Sequence, residues 1–155
     1  SNIEYGWSGI GQYTTIMNPV QYLSMVSAIA NGGEYIEHYY VHAIRSSSGK
    51  ITYKANPKTV KVINKDTADK LADLMDFAVK DNYGKSTFGV LDICGKTGTA
   101  EVGGEKENSL FVGFCKDEQL PLAFVVVMEE SKGSGTSAMR VANKTLQAAK
   151  NSLCK

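Results

Sequence analysis

Apolar residues recur at helical spacing in three segments of the chain. The first segment follows Asn18-Pro19, in which asparagine is a good helix cap and proline suits the first helical position, and it stops at Gly32-Gly33. This pattern predicts a helix over residues 19–31. Its predicted inward face holds Leu23, Val26, Ile29 and Ala30.

Two more helices are predicted further along the chain. One runs from about Asp66, taken as its cap, to the residues before Tyr83-Gly84. Its predicted inward face holds Leu71, Leu74, Met75, Ala78 and Val79. The other covers residues 137–153, after a turn that contains Gly133 and Gly135. Its predicted inward face consists mostly of small residues, which let a helix lie close to a sheet: Ala138, Val141, Ala142, Thr145 and Ala149.

Runs of β-branched and aromatic residues lie between these helices. Residues 35–45 and 50–54 flank the polar turn at 46–49 and predict a β-hairpin. Three further runs predict an antiparallel meander because only short turns, at 103–105 and 116–118, separate them: 89–102, 109–116 and 122–129. The predicted fold class is α+β, with a three-strand meander and a hairpin packed against helices on one or both faces.

Composition narrows the function classes. The chain has 155 residues, of which 43% are hydrophobic and 21% charged, which is typical of one globular domain. Lysine and arginine total 17 against 16 aspartate and glutamate residues, so no strong positive field favours nucleic acid or an anionic membrane. The longest apolar run, 122–128, is far shorter than the roughly 20 residues that a transmembrane helix needs. We therefore expect no nucleic-acid partner and no membrane segment in this chain.

The spacing of cysteine and histidine argues against a metal site. Cys94, Cys115 and Cys154 form no Cys-x-x-Cys pair and are odd in number, so we expect reduced or buried thiols rather than disulfides or a zinc site. His38 and His42 are four residues apart in a predicted strand, which separates them by about 13 Å and disfavours shared ligation. No metal and no cofactor are expected.

The segment with the most chemical content is Gly95-Lys96-Thr97-Gly98-Thr99-Ala100. Gly-Lys-Thr ends the phosphate-binding P-loop pattern, but that pattern needs glycine at position 90, where this chain has Val90. In addition, Gly98 and the turn at 103–105 interrupt the chain where a phosphate-binding helix would have to begin. The sequence therefore disfavours a nucleotide site.

The same segment suits anion binding along a strand, as in the Lys-Thr-Gly motif of serine acyl-transferases that react with β-lactams. Lys96 supplies an ammonium group, and the hydroxyls of Thr97 and Thr99, two residues apart, lie on the same side of a strand. Gly98 leaves room for a ligand backbone, and the Thr99 amide can serve as an oxyanion donor. A solvated lysine beside two β-forming threonines fits the tripeptide equally well, so the motif alone leaves both interpretations open.

Several stretches together resemble one protein family, the class B penicillin-binding proteins. The resemblance is to the C-terminal part of their transpeptidase domain and covers nearly every residue from about 7 onward. The matching stretches are 8–12 (SGIGQ), 18–21 (NPVQ), 29–33 (IANGG), 95–101 (GKTGTAE) and 110–114 (LFVGF), followed by 123–130 and the last helix. Because these motifs agree in order and spacing, we expect the penicillin-binding and serine β-lactamase-like transpeptidase fold.

The resemblance also implies a function, that of a cell-wall D,D-transpeptidase. In this family a serine attacks the D-Ala-D-Ala end of a peptidoglycan stem peptide, and β-lactams acylate the same serine. Carried onto this sequence, the resemblance implies catalytic roles for Lys96 and Thr99, and substrate binding by Lys96, Thr97, Gly98 and Thr99. It further implies a location at the extracytoplasmic face of the bacterial cell membrane.

Two motifs of the family are not recognisable in this chain. Ser47 and Lys50 fit the Ser-x-x-Lys pattern of the nucleophile, but they lie in the predicted hairpin turn rather than at the start of a helix. No Ser-x-Asn occurs in a plausible loop. We therefore expect residues 1–155 to be the C-terminal portion of one transpeptidase domain, with Ser1 and Asn2 as a tag remnant, a membrane anchor outside the chain and no activity alone.

Two alternatives to the enzyme fragment stay open at this point. One is a non-catalytic peptide-recognition or structural module that keeps the Lys96 strand, and the other is a β-lactam sensor or β-lactamase-like relative. In the family the last meander strand pairs with a strand from the N-terminal half of the domain. We therefore expect an open, apolar sheet edge at 122–128, with a homodimer, strand exchange or a retained upstream fragment as the result.

Overall fold

The computed structural model describes residues 2–12, 15–84, 86–104 and 106–153. In chain order the elements are α1 (Asn2–Ser8), α2 (Pro19–Ala30), β1 (Glu34–Ile36), β2 (Ala43–Arg45), β3 (Ile51–Lys54), β4 (Thr59–Lys61), α3 (Lys65–Asn82), β5 (Ile93–Glu101), β6 (Glu107–Cys115), β7 (Ala123–Met128) and α4 (Ala138–Leu153). This succession of helices and antiparallel strands confirms the predicted α+β class.

The largest sheet has the order β5-β6-β7, and both strand pairs are antiparallel, as the meander prediction required. Helix α4 packs on one face, where Ala142 and Leu146 join Ile93 and Phe111 in a buried cluster. Helix α2 packs on the other face, where Val26 contacts the inward side chains of β5 and β6, and α3 contributes Met75 to this cluster and Val79 to the first one. The sheet is therefore covered by helices on both faces.

Two small sheets precede the large one. The predicted hairpin exists, since β2 pairs antiparallel with β3 around the turn at 46–50. The prediction of one continuous arm over 35–45 was wrong, because β1 pairs instead with β4, a strand that was not predicted. Residues 37–42 lie between strands, so His38 and His42 are not on a strand and the 13 Å argument does not apply to them. Both histidines are exposed, and no metal-binding cluster occurs among the described residues.

Helix α2 begins where the sequence predicted. The Asn18 side chain accepts a hydrogen bond from the Val20 amide at 2.9 Å, and the Gln21 side chain accepts one from the Asn18 amide at 3.1 Å. These two bonds form a capping box and satisfy amides that a helix N-terminus leaves free. The predicted face is only partly correct, since Val26 is buried but Ala30 is exposed.

Helix α3 has the predicted length but is rotated relative to the predicted face. Its cap residue is Asn64, not Asp66, which lies in the first turn. Leu71 is 36% exposed and Leu74 is 64% exposed, although both were predicted to face inward. Met75 and Val79 pack inward as predicted, and they are joined by Ala68 and Ala72, which were not predicted to face inward.

Helix α4 confirms the predicted segment and corrects part of its face. Ala138 and Ala142 are buried as predicted, because small side chains let the helix approach the sheet closely. Val141 and Thr145 are exposed instead, and Leu146, which was not predicted to face inward, is buried in the core.

The described cysteines are free thiols inside the molecule. Cys94 is fully buried and Cys115 is 5% exposed, while Cys154 lies outside the described residues. Burial raises the pKa of the Cys94 thiol to about 12 and also raises the pKa of Cys115. Neither thiol is therefore ionised near neutral pH. None of the described helices is long and apolar enough to cross a membrane.

Candidate active-site strand

Strand β5 forms one edge of the large sheet, and the ladder determines which of its peptide groups face outward. Lys116 donates its amide to the Asp92 carbonyl at 2.9 Å, and Val102 donates to the Lys106 carbonyl at 3.2 Å. These two bonds flank the ladder between β5 and β6. They show that the backbone amides and carbonyls of the even-numbered residues of β5 bond to β6. Because antiparallel peptide groups alternate in direction, the amides and carbonyls of Thr97 and Thr99 face the open edge.

Three side chains bond to these outward peptide groups. The Thr97 amide donates to the Tyr83 hydroxyl at 3.1 Å, and the Thr97 carbonyl accepts a bond from Lys96 Nζ at 2.9 Å. The Thr99 carbonyl accepts a bond from Gln12 Nε2 at 2.7 Å. Gln12 therefore attaches the N-terminal segment to the edge of β5, and the Thr99 amide lies beside this contact on the same edge.

Lys96 is exposed, as the sequence led us to expect. One of its three ammonium protons is used by the Thr97 carbonyl, which leaves two donors for other groups. None of the ion pairs found among the described residues includes Lys96. The ammonium charge is therefore not neutralised by a carboxylate within the described part of the chain.

The two threonines lie on the same face of β5, in agreement with their spacing. Thr97 is half-buried, and its Oγ1 is 2.8 Å from the Tyr83 hydroxyl oxygen, whereas the Thr99 side chain is exposed. Lys96 and Gly98 project from the opposite face, but the long lysine side chain still brings its ammonium group to the Thr97 carbonyl at the edge. The strand thus presents an ammonium group, a free amide and hydroxyls along one edge.

The glycines of β5 differ in how strictly they are needed. A Cβ at Gly98 would lie 3.3 Å from Leu110 Cδ2, which a small movement of that side chain would relieve. A Cβ at Gly95 would lie 2.6 Å from Phe111 Cζ. Phe111 is fully buried, and its ring stacks on the ring of Phe88 with the two centroids 5.7 Å apart. Gly95 therefore lets the Phe111 ring pack beneath β5.

Two residues that could act as nucleophiles, Ser47 and Cys94, do not lie beside Lys96 at the edge of β5. The Ser47 and Lys50 pair lies exposed in the turn between β2 and β3, in a different sheet from β5. Cys94 is in β5, but its burial and raised pKa keep the thiol neutral and away from solvent. Among the described residues, neither candidate lies at the edge of β5 beside Lys96.

Sequence reasoning did not assign site roles to two residues that contact the edge. Tyr83 was predicted only as a helix end, and the signal that could have drawn attention to it is an aromatic residue just before the glycine that terminates α3. Gln12 was recognised only as part of the 8–12 stretch. Its contact with Thr99 spans 87 residues of sequence, so local spacing carries no sign of it.

The Lys-Thr-Gly segment thus lies on an edge strand of an antiparallel sheet that helices cover on both faces. A profile described as the penicillin binding protein transpeptidase domain matches residues 2–147. The chain belongs to this family, as the sequence motifs predicted.

Individual relatives agree with the family match. The chain is 32% identical over 136 residues to penicillin-binding protein H of Bacillus subtilis, covering 77% of this chain and 19% of that protein. It is 26% identical over 154 residues to the peptidoglycan D,D-transpeptidase PbpA of Mycolicibacterium smegmatis, covering 93% of this chain and 31% of that protein. The chain thus spans less than a third of the length of either relative.

A solved structure supports the fold. The imipenem acyl-enzyme complex of penicillin-binding protein A from M. tuberculosis superposes with a TM-score of 0.80 at 22% identity. The match covers 96% of this chain and 35% of that chain. This likeness confirms the predicted penicillin-binding transpeptidase fold.

Proposed function

We propose that this chain is the C-terminal portion of one transpeptidase domain and that the whole domain is a serine D,D-transpeptidase for peptidoglycan cross-linking. Membership of the transpeptidase family supports this proposal. A relative named as a peptidoglycan D,D-transpeptidase and a structural neighbour solved as an imipenem acyl-enzyme support the same class of reaction. The substrates are then a stem peptide and, as inhibitors, β-lactams.

The observation that carries the proposal is the edge of β5. The Lys96 ammonium keeps two free donors there, and the Thr99 amide faces the same edge. In the proposed complex, Lys96 and Thr97 bind the terminal carboxylate of the stem peptide. The Thr99 amide donates to the oxyanion that forms when the scissile carbonyl is attacked, and the peptide backbone of the substrate passes beside Gly98.

The reaction proceeds in two acyl-transfer steps. A serine Oγ forms a bond to the carbonyl carbon of the penultimate D-alanine, the peptide C–N bond breaks, and the serine proton passes to the departing D-alanine amine. An amine of a neighbouring stem peptide then attacks the ester, the C–O bond breaks, and a proton returns to the serine. The Thr99 amide stabilises the negative oxygen in both steps.

The serine in this proposal lies outside the chain. Ser47, which fits the nucleophile pattern in sequence together with Lys50, is exposed in a turn of a separate sheet. We accordingly propose that the chain alone is inactive and that the remaining half of the domain is its main partner. The domain would act at the extracytoplasmic face of the bacterial membrane, where peptidoglycan is built, and an anchor would lie in a segment outside this chain.

Labelled benzylpenicillin tests the proposal. The complete polypeptide encoded by the gene and the isolated 155-residue chain are each incubated with the label, and adducts are located by mass spectrometry. We expect an adduct on a serine outside residues 1–155 and none on the isolated chain. An adduct on the isolated chain would contradict its proposed inactivity, and an unlabelled complete polypeptide would contradict the enzyme function in favour of a non-catalytic module.

A pair of lysine variants connects the reaction to the β5 edge. In the complete polypeptide, Lys96→Ala removes the ammonium group and is expected to lower the acylation rate constant at least about tenfold, since bonds between charged groups are worth roughly 1.5–3 kcal/mol. Lys61→Ala removes an exposed strand lysine from β4 and should leave the rate unchanged. Equal acylation rates in the Lys96 variant and the wild type would show that Lys96 does not bind the substrate.

A further inference from the structure

We infer that Tyr83 is a positioning residue for Thr97. Its hydroxyl holds the Thr97 hydroxyl in the orientation in which Thr97 donates a hydrogen bond to the carboxylate of the substrate. This inference rests on the proposed function, because it concerns how the same strand recognises the stem peptide and β-lactams.

The contact between Tyr83 and Thr97 is double. Tyr83 caps the C-terminus of α3, and its hydroxyl oxygen accepts a hydrogen bond from the Thr97 amide at 3.1 Å. The same oxygen lies 2.8 Å from Thr97 Oγ1. One phenol therefore contacts both the backbone and the side chain of the middle residue of the Lys-Thr-Gly motif.

Counting protons gives the direction of the second bond. A phenol has one proton to donate, and its oxygen already accepts the Thr97 amide. If Thr97 also donated its hydroxyl proton to Tyr83, the phenol oxygen would accept twice although its lone pair is partly delocalised into the ring. Donation from Tyr83 to Thr97 Oγ1 is favoured, because a phenol is a better donor and an aliphatic hydroxyl a better acceptor.

As a consequence, the Thr97 hydroxyl accepts from Tyr83 and has its own proton available for a different acceptor. When Oγ1 accepts from Tyr83, the Thr97 proton cannot lie along that bond and is free to point to another acceptor. An anionic carboxylate held by Lys96 at the same edge would be that acceptor, since charged acceptors form the stronger hydrogen bonds. A ligand without the carboxylate gains nothing from this arrangement.

The phenol is held in place independently of any ligand. Its ring meets Phe111 edge to face with ring centroids 6.1 Å apart, and Phe111 is fully buried. The Thr87 hydroxyl donates to the Tyr83 carbonyl, which ties the end of α3 to the following turn. The hydroxyl of Tyr83 is thus preorganised rather than recruited by the substrate.

Two penicillins that differ only in the carboxylate test this role. In the complete polypeptide, acylation by benzylpenicillin and by its methyl ester is followed by mass spectrometry for the wild type and for Tyr83→Phe. Tyr83→Phe keeps the ring against Phe111 and removes the hydroxyl. We expect benzylpenicillin acylation to fall about fivefold to tenfold and ester acylation to stay within about twofold. Tyr53→Phe, an exposed tyrosine of β3, should change neither rate.

A second variant separates positioning from folding. Thr97→Val should produce the same carboxylate-selective loss, and adding Tyr83→Phe to it should produce little further loss, because both changes remove one unit. Additive losses, equal losses for acid and ester, or an unchanged or faster rate in Tyr83→Phe would each overturn the inference. A wild-type polypeptide that benzylpenicillin does not acylate would overturn the proposed function itself.

Discussion

The Cys94 thiol shows how burial controls the chemistry of one residue beside the candidate site. Cys94 has no exposed surface and contacts the cluster that contains Val112 and Phe114, on the face of β5 that α2 covers. Burial penalises the thiolate, so the pKa of this thiol rises from 9.0 to about 12. The thiol therefore acts as a small apolar side chain, two residues from an exposed ammonium group at Lys96.

This burial predicts a pH dependence of stability. Well below pH 9 the Cys94 thiol is neutral in both the folded and the unfolded chain, so its contribution to the free energy of unfolding is constant. Above pH 9 the unfolded thiol ionises while the folded thiol, with a pKa of about 12, does not. The unfolded state is therefore favoured, and the raised pKa costs about 1 kcal/mol of stability by pH 10.

Urea unfolding of the wild type and Cys94→Ala at pH 8, 9 and 10 measures this effect. The alanine variant is expected to be less stable at pH 8, because it leaves a small cavity, and the stability difference should shrink by about 1 kcal/mol at pH 10. The comparison cancels other groups that titrate in the same range. A difference that stays constant from pH 8 to pH 10 would mean that Cys94 ionises equally in both states.

At this scale the sequence predicted residues whose roles follow from local geometry. Lys96, Thr97 and Thr99 could be assigned to a strand and to its two sides because side chains alternate along any strand. The contacts of Tyr83 and Gln12 could not be assigned in this way. They span 14 and 87 residues and depend on where α3 ends and where the N-terminal segment crosses β5.

At the scale of the element, α3 illustrates what hydrophobic periodicity leaves undecided. The helix carries two adjacent apolar stripes, and its termini were predicted more accurately than its orientation. The stripe with larger side chains includes Leu71 and Leu74, while the stripe that faces the sheet includes Ala68 and Val79. Ala68 and Ala72 let the helix axis approach β5 closely, and hydrophobic periodicity alone does not indicate that these small residues face inward rather than Leu71 and Leu74.

Two truncations on α3 test which stripe stabilises the fold. Val79→Ala removes methyl groups from a side chain that is 5% exposed, and we expect it to lower the free energy of unfolding by about 2 kcal/mol. Leu74→Ala acts on a side chain that is 64% exposed and should change stability by less than about 0.5 kcal/mol. Urea denaturation of both variants gives the comparison.

Alanine has a higher helix propensity than valine or leucine, so propensity alone predicts no loss of stability at either position. A loss at Leu74 as large as that at Val79 would show that the exposed stripe is covered in solution, for example by a second copy of the chain. Contacts of α3 outside the monomer would then contribute to the stability of the chain.

At the scale of the whole molecule, the two edges of the large sheet differ. The β5 edge is occupied by side chains from Tyr83, Lys96 and Gln12. At the opposite edge, Cys115 donates its amide to the Leu122 carbonyl at 2.8 Å, so the even-numbered residues of β7 face β6. The amides of Ala123, Val125 and Val127 face outward. Within the described ranges, β7 pairs only with β6.

An unprotected edge of this kind predicts self-association of the isolated chain. Val127 is 40% exposed on β7, beside outward amides that can pair with another strand. We expect the 155-residue chain to dimerise as its concentration rises, and Val127→Lys to shift it toward monomer, because a charge on an edge strand opposes pairing. Val141→Lys places the same charge at a 36% exposed position of α4 and should leave association unchanged. Sedimentation velocity over a concentration series measures both, and a wild type that stays monomeric throughout would show that the β7 edge is protected by the chain itself.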